Sequence, residues 1–416
     1  MKPWTMFVVA VLAAALAWTV WVCAGGPPAA PGEPGAQGVA PTEVKSPDGA
    51  VEVPVRTVKP ERPEVEVVFV LDTTGSMGGL IQAAKEKIWA IANTLVSARP
   101  TPRIKMGLVA YRDRGDAYVT KRTELTSDLD AVYRELMDYA ADGGGDTPES
   151  VNQALNEAVT LMQWSREAKT YRVIFLVGDC PPHMNYAEDV KYPVTCEAAA
   201  RAGIIINTIQ CGGHADTVPV WTEIALKAEG RYFRVEQSGS AILASTPFDA
   251  ELAKLGKELN ETRFFYGTKE ERKVLNRSLD VAAAIESGAS TEAKARRADF
   301  LAKPAGEATL SARQELIGDV TGGRTTLTDL ETDRLPDVMQ KMSPAQREAF
   351  VKENIAKRKR IQGQINELAA KRQANIEEQL KKRADGGKAS LSHQLYEAVK
   401  DQAGKKGIAY TDGPAH

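Results

Sequence analysis

The stretch EVEVVFVLDTTGSM, residues 64–77, decides how the chain reads. Its first part, Glu64 to Asp72, is a β-branched apolar run of strand length. Thr73, Thr74, Gly75 and Ser76 turn the chain, and a helical period follows from Met77 to Val96. The same alternation continues downstream. RIKMGLVAY, 103–111, is a second predicted strand, and 117–120 a short third. Helices are predicted over 127–139, with Ser127 as the cap, and from Pro148 to about Gln163. YRVIFLV, 171–177, is a fourth strand whose lack of alternation marks it as buried on both faces. GIIINTI, 203–209, is the fifth and 231–235 the sixth, with helices near 194–202 and 217–229. Strands alternating with helices predict an α/β fold: a doubly wound, mainly parallel six-stranded sheet, Rossmann-like, covered on both faces. Ligands of such sheets bind at the carboxyl ends of the strands.

Polar residues gather at those ends. Asp72, Thr74 and Ser76 follow the first strand, Asp113 the second and Asp179 the fourth. Asp146, Thr147 and Glu149 lie just after Gly143, Gly144 and Gly145. Carboxylates and hydroxyls without a soft ligand suit Mg²⁺, Mn²⁺ or Ca²⁺. The alternation of Asp72, Thr74 and Ser76 lets three oxygens point the same way from an extended turn. Taken singly, each of these residues has a plainer use as a helix cap. Their collection on one rim argues for a cation.

LDTTGSM, 71–77, resembles the opening of a von Willebrand factor type A (VWA) domain, whose metal-ion-dependent adhesion site (MIDAS) begins Asp-x-Ser/Thr-x-Ser. The likeness spans about residues 64–245 and includes three separated motifs in order. It implies Asp72, Thr74 and Ser76 as ligands, with Asp179, in FLVGDCPPH (175–183), as the Asp after the fourth strand. In the Gly-rich loop, DTPE, 146–149, resembles the Asp-Ser-Pro-Glu of integrin β-subunit I-like domains. That implies Glu149 as the loop's ligand, with Thr147 as the alternative. It further implies a neighbouring second cation held by Asp113, Asp146 and Glu149, although Gly144 stands where that site has Asn. Gly78 and Gly79 replace the acidic pair of a third site, so none is expected there. The resemblance also implies an open metal position completed by a carboxylate from a partner protein.

Other patterns are weaker. Arg114, Gly115 and Asp116 spell an adhesion tripeptide, but loops after strands use these residues commonly. Ser76 sits in a strand–turn–helix, as a hydrolase nucleophile would, yet the first Gly of that motif is missing. Cys180 and His183 are poorly spaced for a nucleophile pair. His183 and His214 read as loop hydrogen-bonding residues rather than a base or a soft-metal pair. Cys180, Cys196 and Cys211 fall near the rim; an oxidising compartment would allow Cys196–Cys211 or Cys180–Cys196, and buried thiols are the other reading. No P-loop, dinucleotide fingerprint or zinc motif occurs.

The 416 residues carry a net charge of −2, which excludes a strongly basic nucleic-acid binder. Met6 to Ala24 is apolar apart from Thr19, so residues 1–24 read as a signal peptide or membrane anchor. Residues 25–63 hold nine Pro and six Gly, too little apolar surface to order, and read as a tether. Together they predict export: a periplasmic, extracellular or membrane-anchored protein facing away from the cytosol. The VWA-like domain is placed at 64–245 and a mostly helical region at 246–416. Residues 1–245 hold 23 basic and 29 acidic residues and 246–416 hold 30 and 26, a sign change that supports this division. Phe248 to Leu259 reads as a helix, 283–330 has no assignable pattern, and a long helix is predicted from about 344 to 384. Ser343, Pro344 and Gln346 form its start signal. Val351, Ile355, Ile361, Ile365, Leu368, Ile376 and Leu380 give it the narrow apolar stripe of a helical-hairpin or coiled-coil partner. The function expected is a non-enzymatic, exported binding protein that grips an acidic group on a partner protein through a divalent cation. The alternatives are an assembly factor acting through the helical tail, and a hydrolase using the rim metal or Ser76.

Overall fold

Glu64–Asp72 forms β1, and its side chains alternate between two separate cores. Val65, Val67, Phe69 and Leu71 enter one, and Val68 and Val70 the other. Val67 to Leu71 is apolar without a break because both faces are covered. The computed structural model describes residues 62–235, 245–311, 313–382, 390–411 and 413, which belong to one compact unit. The apolar run at 6–24 and nearly all of the tether lie outside the described residues. Among the described residues no helix is long and apolar enough to cross a membrane.

The remaining strands are β2 (Arg103–Tyr111), β3 (Thr120–Thr126), β4 (Tyr171–Gly178), β5 (Ile204–Cys211) and β6 (Tyr232–Val235). The sheet order is β3-β2-β1-β4-β5-β6, parallel except for β3. The third strand is thus Thr120–Thr126, beyond the predicted 117–120. Its sequence, TKRTELT, is polar and half-exposed at the sheet edge, so hydrophobic periodicity gives no signal there.

The helices are α1 (Leu80–Leu95), α2 (Leu129–Asp138), α3 (Val151–Thr160), α4 (Tyr192–Arg201), α5 (Thr217–Lys227), α6 (Asp249–Asn260), α7 (Lys269–Gly288), α8 (Thr291–Ala302), α9 (Glu307–Leu310), α10 (Leu316–Thr321), α11 (Pro344–Lys381) and α12 (Leu391–Gly404). α3, α4 and α5 cover one sheet face. α1 and α2 cover the other, together with Ala298, Phe300 and Leu301 of α8, Ile361 and Ile365 of α11, and Leu395 and Val399 of α12. The segment without a sequence pattern, 283–330, therefore supplies part of the main core.

Two predicted helix starts move. α2 is capped by Asp128, whose Oδ1 accepts from the Ala131 amide at 3.3 Å, rather than by Ser127. α3 begins at Val151 rather than Pro148, because the Glu149 amide donates to Pro181 O at 2.9 Å instead of entering the helix. The start of α11 is as expected: Ser343 Oγ accepts from the Gln346 amide, and Gln346 Oε1 accepts from the Ser343 amide.

Candidate metal centre

Asp72 is the last residue of β1, paired in register with Tyr111 on β2. β4 ends beside it at Gly178, where an added Cβ would lie 2.9 Å from Asp72 Cβ. Only a bare backbone lets the two strand ends close so tightly, and Asp179 follows at once. Asp72 is fully buried. Its Oδ1 accepts from the Thr74 amide at 2.8 Å and from Thr74 Oγ1 at 2.6 Å. Thr74 Oγ1 lies 3.1 Å from Ser76 Oγ, which donates to Asp179 Oδ1 at 3.0 Å. The turn residues Gly75–Met77 start a short 3₁₀ helix, yet Thr74 makes no side-chain cap. Its hydroxyl serves the carboxylate cluster instead of a helix end.

The Gly-rich loop closes over this turn. The Gly75 amide donates to Gly143 O at 3.1 Å and the Asp142 amide to Thr73 O at 3.2 Å. Gly143 and Gly144 take φ of 76° and 79°, a region that favours glycine. A Cβ on Gly144 would sit 3.2 Å from Glu149 Oε1 and 3.3 Å from Thr74 Cβ, so the glycine leaves room for both. Glu149 is buried, whereas Thr147 is exposed on the cleft wall. The cleft, about 460 Å³, is lined by Thr74, Ser76, Gly144, Glu149, Asp179 and His214 among others.

Its electrostatics are one-sided. Asp72 Oδ2 and Glu149 Oε2 are buried without a hydrogen-bond donor. Burial pushes the Asp72 carboxyl up to about 7, and Asp179 beside it adds to the rise against the Thr74 hydrogen bonds. Burial pushes Glu149 up to about 9, with Asp72, Asp113, Asp116 and Asp179 all adding to it. Among the described residues, no Lys or Arg lines the cleft. Buried, unpaired carboxylate oxygens are costly. A hard divalent cation held by Asp72, Thr74, Ser76, Glu149 and Asp179 fits this oxygen-only donor set.

The other candidates fall as follows. Asp113 and Asp146 come together, but with His183, which sequence reading left as a loop residue. Ser150, next to Glu149, donates its hydroxyl to Asp113 Oδ1 at 2.9 Å, so this segment touches the second cluster as well. Asp116 accepts from the Gly144 and Asp113 amides and holds the loop, while Arg114 pairs with Glu188 and Asp189. The Arg-Gly-Asp tripeptide is thus engaged within the fold. Cys180, Cys196 and Cys211 are buried free thiols. His214 Nδ1 lies 3.3 Å from Thr217 Oγ1. Sequence reading missed Tyr111, whose buried hydroxyl lies beneath the cluster with no partner. Burial and the carboxylates of Asp72, Asp179 and Glu149 hold that phenol protonated.

Residues 66–197 match the family model of the von Willebrand factor A domain. A putative ariadne-like RING finger protein of Acanthamoeba polyphaga mimivirus is 25% identical over 222 residues, 50% of this chain and 21% of that protein. Von Willebrand factor A domain-containing protein 7 of Homo sapiens is 40% identical over 148 residues, 35% of this chain and 15% of that protein. The chain thus spans about a fifth or less of the length of these curated relatives. Among solved structures, the VWA domain of SpRpn10 aligns with a TM-score of 0.33 at 14% identity, over 42% of this chain and 89% of that one. From the Asp72 turn, the sheet order and the family match, this chain carries a von Willebrand factor A domain.

Proposed function

We propose that this protein binds a partner protein by gripping one of its carboxylates through a divalent cation, Mg²⁺ or its near equivalents Mn²⁺ and Ca²⁺, at the rim of the VWA domain. The domain itself supports a protein-interaction role. The observation that carries the cation reading is the pair of buried, donorless oxygens, Asp72 Oδ2 and Glu149 Oε2, beside a cleft that Glu149 and Asp179 line and that has no basic side chain among the described residues. A cation bound there supplies a desolvated positive centre for an incoming carboxylate. Asp72 and Asp179 arrive on strand ends, so the rigid sheet fixes their spacing. Thr74 and Ser76 orient those carboxylates through the hydrogen bonds described above, and Glu149 adds a third negative charge from the loop.

The reading is non-catalytic. Ser76 Oγ contacts Thr74 and Asp179 and no imidazole, so it is not the nucleophile of a serine–histidine pair. Burial, with Asp179 close by, pushes the Cys180 thiol well above its ordinary range, away from a nucleophilic thiolate. Export, implied by the segment before residue 64, would place the site where it meets proteins outside the cytosol.

Binding to immobilised peptides that carry exposed Asp or Glu, and to their Asn or Gln counterparts, tests the proposal. Binding should require Mg²⁺, favour the acidic peptides and disappear in Asp72→Ala. Equal binding to acids and amides, or binding untouched by a chelator, would overturn it.

A further inference from the structure

We propose that Asp113, Asp146 and His183 form a second cation site beside the first, one that takes Zn²⁺ in preference to Mg²⁺ because an imidazole is among its ligands. His183 is 4% exposed. Its Nδ1 lies 2.9 Å from Asn185 Oδ1. An amide oxygen only accepts, so Nδ1 carries a proton, and in the neutral ring Nε2 offers its lone pair. That lone pair lies 3.2 Å from Asp113 Oδ2 and 3.4 Å from Asp146 Oδ1, and Nε2 makes no hydrogen bond to either. In the neutral ring this lone pair and the two carboxylate oxygens converge as three donors to one point, and a metal ion there takes the place that a proton on Nε2 would otherwise hold. Zinc bonds of about 2.1 Å in a tetrahedron set ligand atoms about 3.4 Å apart. The three atoms lie within 4.8 Å of one another, so little closure is needed.

The surroundings orient the ligands rather than neutralise them. Ser150 Oγ donates to Asp113 Oδ1 at 2.9 Å and Tyr186 Oη to Asp113 Oδ2 at 2.8 Å. The His183 ring stacks on Tyr186 with centroids 4.1 Å apart, and the Arg114 guanidinium lies over Tyr186. Outer partners of this kind fix ring orientation at metal sites. Two carboxylates and one imidazole are a borderline donor set, which selects Zn²⁺ over Mg²⁺. Asp146 is exposed, so the ion enters from solvent.

The two centres share backbone. The His183 amide donates to Glu149 O at 3.0 Å, and the Glu149 amide donates to Pro181 O at 2.9 Å. An ion on His183 therefore steadies the segment that carries Glu149 to the first cluster.

The test uses the full chain, stripped with a chelator, then titrated with Zn²⁺ in excess Mg²⁺ by calorimetry, with metal content measured after dialysis. One equivalent of Zn²⁺ should bind without displacing Mg²⁺. His183→Gln and Asp146→Asn should each lose that equivalent, and the exposed position of Asp146 keeps its variant folded. Asn185→Ala should weaken Zn²⁺ by about 10–100-fold. Asp72→Ala should retain Zn²⁺ while losing Mg²⁺, which separates this site from the proposed partner-binding cation. Zn²⁺ that replaces Mg²⁺ one for one, or binds unchanged to His183→Gln, overturns the site. So does a nitrogen-15 spectrum showing Nε2 protonated in a protein that takes up no Zn²⁺.

Discussion

On the helical side of the molecule, Asp130, Asp249 and Glu315 are each buried against an arginine; at the sheet rim, Asp72 and Glu149 are buried against hydroxyls and backbone alone. Arg297 holds both oxygens of Asp130 at 2.6 and 2.5 Å. Arg358 holds both oxygens of Glu315 at 2.9 Å, and Arg372 reaches Asp249 at 2.6 Å. These pairs tie α2 to α8, α6 to α11, and α11 to the chain just before α10. Among the described residues Asp72 and Glu149 have no such partner, and burial raises their carboxyls to about 7 and about 9. The fold matches its buried acids with arginine in one region and leaves Asp72 and Glu149 without one in the other, which is the contrast on which the proposed cation rests.

The largest expected effect lies in the paired region. Asp130→Ala leaves the buried Arg297 guanidinium, which is 1% exposed, with only Glu286 and Asn260 as partners, and should cost about 3 kcal/mol of stability in urea unfolding. A loss below about 1 kcal/mol would break the contrast, since the pair would then resemble a surface bridge.

At the rim the same kind of change should not destabilise the metal-free protein. Asp72→Asn keeps the acceptor for Thr74 and removes a repelled charge, so the chelated variant should unfold at or above the wild-type urea midpoint. Wild type should gain about 2.7 kcal/mol from Mg²⁺ at a hundred times its Kd, and the variant none. A variant that still gains would place the ion elsewhere.

The pH dependence sharpens the difference further. The folded pKa values of Asp72 and Glu149 lie above ordinary carboxylate values, so the folded state binds more protons than the unfolded one. Their contribution to stability is fullest below pH 4 and is lost as pH rises through about 7 and then about 9. Urea midpoints of chelated protein should therefore fall from pH 5 to 9, less steeply in Glu149→Gln, and Mg²⁺ should flatten the trend. A midpoint that rises across this window would mean that the rim carboxylates are ionised and satisfied without metal.

The smallest effect is expected at Thr147. Its exposed side chain predicts a stability change within about 0.5 kcal/mol for Thr147→Val and little change in Mg²⁺ affinity. Glu149→Gln should weaken Mg²⁺ clearly in the same titration. The reverse order would move the loop's ligand to Thr147.

The sequence alone determined the sheet's five parallel strands, the cluster of Asp72, Thr74 and Ser76, and the start of α11, because each is a local pattern: an apolar run, an alternation over five residues, a cap and its box. The tertiary structure alone decided the rest. β3 is a polar edge strand, held by pairing to β2 rather than by burial, so no periodicity announced it. Residues 283–330 looked patternless because α8 meets α6 through small residues; a Cβ on Gly256 would lie 2.9 Å from Ala298 Cβ. Close backbone approach of this kind leaves little hydrophobic signature. The arginine partners and the approach of His183 to Asp113 and Asp146 join residues far apart in the chain. Residue type announces that a carboxylate can be paired or can bind metal. Only the packing of strand ends and helices determines which of the two faces it, because that depends on where a distant arginine or imidazole is carried by the fold.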